Sequence, residues 1–363
     1  MPKAPTVYDV ADLAKVSIAT VSRVFRKPHE VSQATRDRVQ AAVLDLGYVP
    51  SGSARSLAAR RAGAIGLCFP DFDGIDGGPA PVTYAEGPVL AQLDPLEDVD
   101  PSGDLYISEV MLGTEIEAWR HGMAVTIAVA RGERGTEIFD NLAGRVDGMV
   151  TLSRTVPEQL LAHIARRIPV VVIAGPRAGD EYDHISTDNV AGMQAMTKHV
   201  VDAHGIHDVA FVAGPADSPD DHDRFEGFRA GLLAEGIEPP SEPLLRGDFT
   251  RGNGRVLGRH LVETGRVPRA LVCSNDQTAL GVLDALLAAG LRVPEDVVIT
   301  GFDGIDATQM SRPRITTVRQ PMRELGRAAV DTLLRRLGDP LMPPQTRTLP
   351  VTVLLRESCG CLG

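Results

Sequence analysis

Residues 6–23, TVYDVADLAKVSIATVSR, constrain this chain most because they predict two short helices joined by a tight turn. Thr6 is a suitable N-cap, and the carboxylate of Asp9 follows three residues later, where it favours the first helical turn. We expect the first helix to cover residues 7–15 and Ser17 to cap the second. The chain therefore begins with a small helical unit.

The second of these helices has two different faces. Its inner face would consist of Val21, Val24 and Phe25. The opposite face carries side chains that could reach base edges in a DNA groove, and these are Ile18, Ala19, Ser22 and Arg23. The outward residues are the candidate base readers.

A third amphipathic helix follows in the sequence. Ser32 can cap it, and Gly47 can end it. Its buried face would consist of Val39, Val43 and Leu46. The alternative interpretation is an ordinary small helical bundle, since capped amphipathic helices are common.

The distribution of charge favours contact with DNA. Residues 1–61 carry ten Lys and Arg against five Asp and Glu, whereas the whole chain carries 37 against 48 and a net charge of −11. A basic N-terminal segment on an otherwise acidic chain suits a protein that contacts phosphate only through that segment, because phosphate neutralisation dominates nucleic-acid affinity.

Beyond residue 63, short apolar runs alternate with amphipathic stretches, as in parallel α/β domains. The runs that predict buried strands are AIGLCF, AVTIAVA, GMVTL, PVVVIAG, DVAFVAG, ALVCS and VVITGFD. The predicted helices between them cover residues 108–121, 190–204, 224–235, 252–264 and 278–289. The chain beyond residue 63 is longer than a domain with one hydrophobic core usually is, so we expect two lobes.

Residues 71–104 interrupt the alternation. They carry nine Asp and Glu, no Lys or Arg, and many Gly and Pro, so they cannot form a regular helix or a central strand. We interpret the segment as a solvated loop near the mouth of a cleft. The functional alternative is a lid or a surface for a partner.

Three segments resemble the LacI/GalR (lactose-repressor) family of bacterial transcription regulators: TVYDVADLAKVSIATVSRVF, VSQATRDRVQAAVLDLGYVPSGSARSLAARRAGAIGL and RESCG. The resemblance covers nearly the whole chain apart from residues 72–104. It implies an all-α helix-turn-helix headpiece at 1–49, a hinge helix at 50–62, and an α/β core at 63–363 of two periplasmic-binding-protein-like, Rossmannoid subdomains. The first subdomain would hold 63–186 and 320–345, and the second 187–319 and 346–360.

The resemblance also assigns DNA contacts. Ile18 and Ala19 match positions that vary with operator sequence, and Arg23 matches the position that reads a guanine edge, which suits the arginine fork. The positions that match phosphate contacts are Thr6, Tyr8, Ser17, Ser22 and Thr35. For Tyr8 the alternative is packing against the third helix.

Residues 50–59, PSGSARSLAA, resemble the family's hinge helix. The match implies that Leu57 enters the minor groove as an apolar wedge, with Ala54 and Arg55 at the DNA beside it. The alternative is a flexible linker, and we expect the free hinge to be unfolded because Gly52 disfavours a helix.

Five positions match the family's effector contacts: Arg224, Phe249, Asn275, Asp303 and Gln320. Relatives have a brief loop in place of residues 72–104 whose aromatic residues face the ligand, and we expect Tyr106 to take over that role. Arginine, amide and carboxylate groups suit sugar hydroxyls, and an aromatic ring can stack on a sugar's apolar face. Singly, Arg224 could form a surface ion pair, Asn275 an N-cap and Asp303 a turn. Ala174 and Gly175 depart from the family, because many relatives place a ligand-binding aspartate there.

The sequence predicts no metal, cofactor or catalytic residue. Cys68, Cys273 and the terminal Cys-Gly-Cys of Cys359 and Cys361 are too scattered for a metal quartet. The histidines that cluster in sequence have no carboxylate completing a recognised pattern, and these are His199, His204 and His207. GNGRVLG misses the dinucleotide-binding spacing, and no nucleophile elbow or acid–base pair is present, so we expect no enzyme activity.

We expect an allosteric, homodimeric repressor that acts on near-palindromic double-stranded operator DNA and binds a small polar effector, with a carbohydrate favoured by the resemblance. The competing hypotheses are a DNA-binding regulator without ligand control and a solute-binding sensor protein. No signal peptide or membrane span is evident, so we expect a bacterial cytoplasmic protein, associated with the nucleoid when it is bound to DNA.

Overall fold

The computed structural model describes residues 5–49, 61–70, 105–130, 135–175 and 181–361. The chain divides into two compact units, Met1–Gly63 and Ala64–Gly363. The predicted hinge residues Ala54, Arg55 and Leu57, and the acidic segment 72–104, lie outside the described residues.

The first unit contains three α-helices: α1 (Val7–Leu13), α2 (Ile18–Arg26) and α3 (Gln33–Leu46), with a short 3₁₀ turn at Pro28–Glu30. The backbone N–H of Thr6 donates to the Asp9 carboxylate at 2.7 Å, and Ser17 Oγ accepts from Thr20 N at 3.1 Å. Helix α1 ends two residues earlier than predicted, because Lys15 adopts a left-handed conformation with φ 53°. The predicted helix-turn-helix is confirmed.

Small aliphatic residues form the core of this unit. Val10, Val21 and Val39 are fully buried where the three helices meet. The prediction that Phe25 faces inward is wrong, because its side chain is 40 % exposed near the end of α2. The packing alternative for Tyr8 is also wrong, since its side chain is 68 % exposed.

The second unit contains two six-stranded sheets. The first sheet has the order β11-β5-β4-β3-β1-β2, and all its pairs are parallel. Its strands are β1 (Ala64–Phe69), β2 (Ala124–Val129), β3 (Gly148–Leu152), β4 (Val170–Ile173), β5 (Asp183–Thr187) and β11 (Thr346–Leu349). Five of these β-strands come before residue 188 and the sixth comes from near the C-terminus.

The second sheet has the order β12-β10-β9-β8-β6-β7. Its strands are β6 (Val209–Ala213), β7 (Leu245–Arg246), β8 (Ala270–Cys273), β9 (Val298–Asp303), β10 (Thr316–Arg319) and β12 (Thr352–Leu354). Only the pair β10–β12 is antiparallel. Most of the predicted runs became strands that are buried on both faces, so their apolar residues are nearly continuous, whereas the edge strand β2 is largely exposed.

Helices cover both faces of each sheet. They are α4 (Leu105–Arg120), α5 (Gly135–Ala143), α6 (Glu158–Ala165), α7 (Asn189–His204), α8 (Pro219–Ala234), α9 (Arg251–Thr264), α10 (Asp276–Ala288), the single turn α11 (Ala307–Met310) and α12 (Met322–Gly338). Helices α4 and α12 cross so closely that a Cβ on Gly326 would lie 2.2 Å from the carbonyl oxygen of Val110. The two-lobed α/β architecture is as predicted.

The chain passes between the two sheets three times. It leaves the first sheet after β5, returns after β10, and crosses for the last time between β11 and β12. The predicted boundary at residue 345 is wrong by one strand, because β11 pairs with β5 of the first sheet. Each lobe is therefore built from separate parts of the chain.

Candidate functional site

A cavity of about 500 Å³ lies where the carboxyl ends of the strands of both sheets face each other. The first sheet contributes the residues that follow β1, β3 and β4, and the second contributes those at the ends of β8, β9 and β10. All six side chains predicted for an effector line this one cavity: Tyr106, Arg224, Phe249, Asn275, Asp303 and Gln320. Its volume lies within the range of small-molecule sites.

Arg224 is the most constrained of these side chains. It is 4 % exposed, its Nε donates to Asn189 Oδ1 at 2.9 Å, and its Nη1 donates to the carbonyl oxygen of Ser274 at 2.8 Å. The guanidinium carbon lies 3.9 Å from the centroid of the Phe302 ring. The surface ion pair considered for Arg224 is therefore wrong, because its partners are buried and fix the plane of the fork.

Asp303 and Gln320 connect the two lobes. Arg224 Nη2 lies 3.4 Å from Asp303 Oδ1, and Gln320 Nε2 donates to the same oxygen at 2.7 Å. The side-chain oxygen of Gln320 accepts from the hydroxyl of Thr187, at the end of β5, at 3.2 Å. A ligand that displaces the bond between Thr187 and Gln320 would act on both lobes at once.

Asn275 holds the aromatic wall. Its Nδ2 donates to the carbonyl oxygen of Phe249 at 2.9 Å, while its Oδ1 accepts from Thr278 N at 3.0 Å. The predicted N-cap and the predicted position in the cavity are thus both present. One amide starts α10 and fixes the backbone that carries Phe249.

Backbone strain concentrates around the cavity. Five non-glycine residues in the described part of the chain have positive φ, and four of them line the cavity: Arg154 (65°), Ala174 (66°), Phe249 (72°) and Asp303 (117°). Conformations of this kind cost free energy and persist where the surroundings enforce them, often at ligand sites.

Two carboxylates of the site, the half-buried Asp220 and the buried Asp276, were not predicted. Asp220 lines the cavity and accepts from Asn189 Nδ2 at 2.9 Å and from Gly175 N at 3.3 Å, which links the lobes a second time. Asp276 accepts from the amides of Gly304 and Ile305 at 2.7 and 2.9 Å and so shapes the loop after β9. Burial and the neighbouring Asp303 raise the pKa of Asp276 to about 8.

The predicted DNA-contacting residues of the first unit lie on or near its surface. Tyr8, Ser17, Ile18, Ala19 and Arg23 are exposed, and Thr6, Ser22 and Thr35 are half-buried. Two of the predicted phosphate donors already have partners. The hydroxyl of Thr6 donates to the Asp9 carboxylate at 2.7 Å, and that of Thr35 accepts from Ser32 Oγ at 3.0 Å.

A second group of donor atoms lies at the opposite, amino ends of the strands of the second sheet. The expectation that the cysteines are too scattered for a metal quartet does not hold for Cys359 and Cys361, because the fold places His199 and His204, near the end of α7, beside them. His207 is not part of this group. The fold thus joins residues that are far apart in sequence.

Comparison with known proteins identifies the family. Residues 6–51 match the family model "Bacterial regulatory proteins, lacI family", and residues 198–359 match "Periplasmic binding protein-like domain". The transcriptional repressor CytR of Escherichia coli K12 is 31 % identical over 363 residues, which cover 99 % of this chain and 97 % of that protein. The chain belongs to the lacI family of bacterial regulatory proteins.

Further relatives support the same assignment of this lacI-family chain. The ribose operon repressor of Escherichia coli K12 is 30 % identical, over 97 % of this chain and 98 % of that protein. A Lac repressor dimer bound to operator and the anti-inducer ONPF has 26 % identity and a TM-score of 0.79, over 98 % of this chain and 99 % of that one. The protein is a DNA-binding transcription regulator, and its relatives are repressors rather than enzymes.

One negative finding concerns membranes. Within the described residues of this lacI-family chain, no helix has both the length and the apolar character needed to cross a bilayer.

Proposed function

We propose that this protein is a homodimeric repressor whose affinity for operator DNA is controlled by a neutral, polyhydroxylated molecule of sugar size. The observation that carries the proposal is the cavity, in which an arginine fork, two amides and a carboxylate face the aromatic ring of Phe249. Convergent donors and acceptors beside an aromatic face suit hydroxyl groups on a ring with one apolar side.

The charge of the cavity favours a neutral ligand. Its lining contains two arginines and three aspartates, which are Arg154, Arg224, Asp220, Asp248 and Asp303. Arg224 already lies beside Asp303 and Arg154 pairs with Asp217, so among the described lining residues no uncompensated positive charge faces an anionic ligand. A sugar or glycoside therefore fits this lining better than a carboxylate or a phosphate does. The ribose operon repressor among the relatives is consistent with a sugar.

The exposed face of α2 supports the proposed DNA contacts. Ile18 and Ala19 offer apolar contacts, such as with a thymine methyl, and Arg23 can read O6 and N7 of guanine together. Two copies related by a two-fold axis would read two half-sites, so we expect a near-palindromic operator. The hinge residue Leu57 remains the proposed minor-groove wedge.

An apolar stripe on α4 supports pairing with a second copy. Leu105, Leu112 and Trp119 repeat at seven-residue spacing, which places them on one side of the helix, and they are 38 %, 38 % and 72 % exposed. Replacing Trp119 with Lys should convert a dimer to a monomer in sedimentation analysis. An unchanged dimer would place the interface elsewhere.

The central test combines DNA selection with a ligand panel. Selection from random duplexes with the full chain should yield near-palindromic sites. Neutral mono- and disaccharides and nucleosides are then screened for a rise in melting temperature and for a change in affinity for the selected site. A tighter or a looser complex supports allosteric control. If no compound alters either quantity, the regulator works without a ligand of this class and the proposal fails.

A further inference from the structure

Four metal-ligating atoms from two distant parts of the chain meet at one point. Nε2 of His199, Nε2 of His204, Sγ of Cys359 and Sγ of Cys361 all lie within 4.8 Å of one another. Cys359 is buried and the other three side chains are half-buried. Nitrogen and sulfur donors are the ligands that Zn²⁺ prefers in structural sites.

The local backbone explains how these residues converge. His199 and His204 lie in the last two turns of α7, and the tail passes them in a 3₁₀ turn at Glu357–Cys359. Gly360 adopts φ 96°, which a residue with a side chain rarely adopts, and this turn lets both thiols face the same histidines. A serine hydroxyl anchors the tail, because Ser358 Oγ donates to the carbonyl oxygen of Ile299 at 2.5 Å.

Four of the six distances between the ligand atoms match the edges of a metal-centred tetrahedron, and the other two are at most 4.8 Å. Bonds of about 2.0 Å to nitrogen and about 2.3 Å to sulfur give edges of about 3.3 Å between nitrogens and about 3.5 Å between nitrogen and sulfur. The two histidine nitrogens are 3.1 Å apart. His199 Nε2 lies 3.7 Å from Cys359 Sγ and 3.5 Å from Cys361 Sγ, and His204 Nε2 lies 3.6 Å from Cys361 Sγ.

Hydrogen bonding alone does not account for this cluster. His199 Nε2 faces three polar atoms, those of His204, Cys359 and Cys361, yet a ring nitrogen carries either one proton or one lone pair. A single cation at the centre would satisfy all four donors. The hydroxyl of Thr316 lies 3.1 Å from Cys359 Sγ, where it can support a thiolate ligand from outside.

We propose that His199, His204, Cys359 and Cys361 bind one structural Zn²⁺ ion that fastens the C-terminal tail to the end of α7. The protein supplies all four ligands, so no position is open for substrate or water, as in structural zinc sites. The ion lies at the amino ends of the strands of the second sheet, away from the ligand cavity at their carboxyl ends. Its role is therefore independent of the proposed effector.

Metal analysis of the full chain without a histidine tag tests the proposal. After addition of zinc and exhaustive dialysis, we expect inductively coupled plasma mass spectrometry to find one Zn²⁺ per chain. Titration of apoprotein with Co²⁺ should produce the intense visible bands of tetrahedral cobalt with a thiolate-to-cobalt transition. Both readouts use the wild-type chain, so they do not depend on the folding of a variant.

Variants then locate the site. Cys361→Ser and His204→Gln should each weaken metal binding at least tenfold, and added chelator should lower the melting temperature of wild type more than that of these variants. His207→Ala is the matched control, because His207 is exposed and lies outside the cluster. It should bind the metal as wild type does.

Three results would overturn the proposal. They are a zinc content well below one per chain with no cobalt bands, equal metal binding by wild type and Cys361→Ser, and a Cys359–Cys361 disulfide in freshly purified protein. The last would assign the paired thiols to redox chemistry instead.

Discussion

Arg224 is the residue on which the polar contacts of the cavity converge. Its fork bonds to an amide oxygen, a backbone carbonyl and a carboxylate while its plane rests on Phe302. A buried cation needs such partners, because an unpaired charge in the interior is costly. The same bonds give the fork a fixed direction toward a ligand.

Arg224→Lys should reduce affinity for the effector at least tenfold while leaving the fold intact. A lysine ammonium keeps the charge but cannot reach Asn189 and Ser274 with the geometry of the fork. Calorimetry with the active compound measures the loss. Arg229→Lys is the control, since Arg229 lies on the same helix and pairs with Glu226 outside the cavity. Equal affinity of Arg224→Lys and wild type would remove Arg224 from the site.

Asp276→Asn should stabilise the protein more at pH 8 than at pH 4. Burial and Asp303 raise the pKa of Asp276 to about 8, so the folded chain holds this proton more tightly than the unfolded chain. Its stabilising contribution is present below the unfolded pKa of about 3.9 and is lost as pH rises through about 8. Asparagine avoids this loss, because its oxygen can accept from Gly304 and Ile305 and its amide can donate to Thr317.

Urea unfolding of Asp276→Asn and wild type across this pH range measures the effect. The difference in free energy of unfolding should grow by about 1 kcal/mol or more, since one pKa unit corresponds to about 1.4 kcal/mol. The exposed Asp306→Asn serves as the control. A difference that stays constant with pH would show that the pKa of Asp276 is the same in the folded and the unfolded chain.

At the scale of elements, close crossing of α4 and α12 holds the first lobe together. A Cβ on Gly113 would lie 2.0 Å from the carbonyl oxygen of Arg323, and one on Gly326 would lie 2.2 Å from that of Val110. Both obstacles are backbone atoms, which cannot rotate away as a side chain can. The two glycines therefore set the distance between the helices.

Gly326→Ala should lower the free energy of unfolding by about 1–3 kcal/mol, because the helices must separate to admit a methyl group. Gly338→Ala, at the end of the same helix with no atom within 4 Å of the added Cβ, should be neutral or slightly stabilising. The midpoints of urea unfolding of the two variants measure this difference in stability. Equal midpoints would contradict a rigid crossing.

Helix α2 carries the prediction on DNA sequence preference. Arg23→Ala should weaken binding to the selected operator by about 1–3 kcal/mol, and the preference for guanine at one position of each half-site should relax. Binding to random duplex should fall much less. Thr35→Ala is the comparison, since loss of a phosphate contact should weaken both duplexes alike. If Arg23→Ala weakened binding to both duplexes equally, Arg23 would contact the DNA backbone rather than a base.

At the scale of the whole molecule, polar contacts between described residues bridge the lobes around the cavity, among them Thr187 with Gln320, Gly175 with Asp220, and Arg154 with Asp217. These bonds are weak enough to be exchanged for bonds to a ligand. In a dimer, a ligand that holds the two lobes of each copy at a different angle changes the distance between the first lobes of the two copies. Any DNA-binding units joined to those lobes change their spacing with them. The coupling needs no direct contact between ligand and DNA.

This coupling must be reciprocal. Whatever factor the effector applies to operator affinity, the operator must apply to effector affinity. Calorimetric titration of the effector with and without saturating operator, beside DNA titrations with and without effector, gives the two factors. Unequal factors would mean that the two ligands do not share one linked equilibrium.

Much of this architecture was predictable because its signals are local. Strands such as β1 and β4 are apolar without interruption, and the six side chains predicted for the effector all line the cavity. Asp220 and Asn189 were missed, since polar residues at the start of a helix are usually caps. The His–Cys cluster was missed because about 160 residues separate His199 from Cys359. Phe25 has helical spacing for the core, yet the described elements leave its side chain 40 % exposed.

The late return of the chain to the first sheet has a consequence for synthesis. Strand β11 closes the edge of that sheet beside β5, but it is made more than 150 residues after β5. Until the ribosome has passed Leu349, the edge of β5 keeps a row of unsatisfied backbone groups. The helical unit of residues 1–63 is thus synthesised before the unit that governs it, because the first sheet of the second unit is completed only when β11 is made.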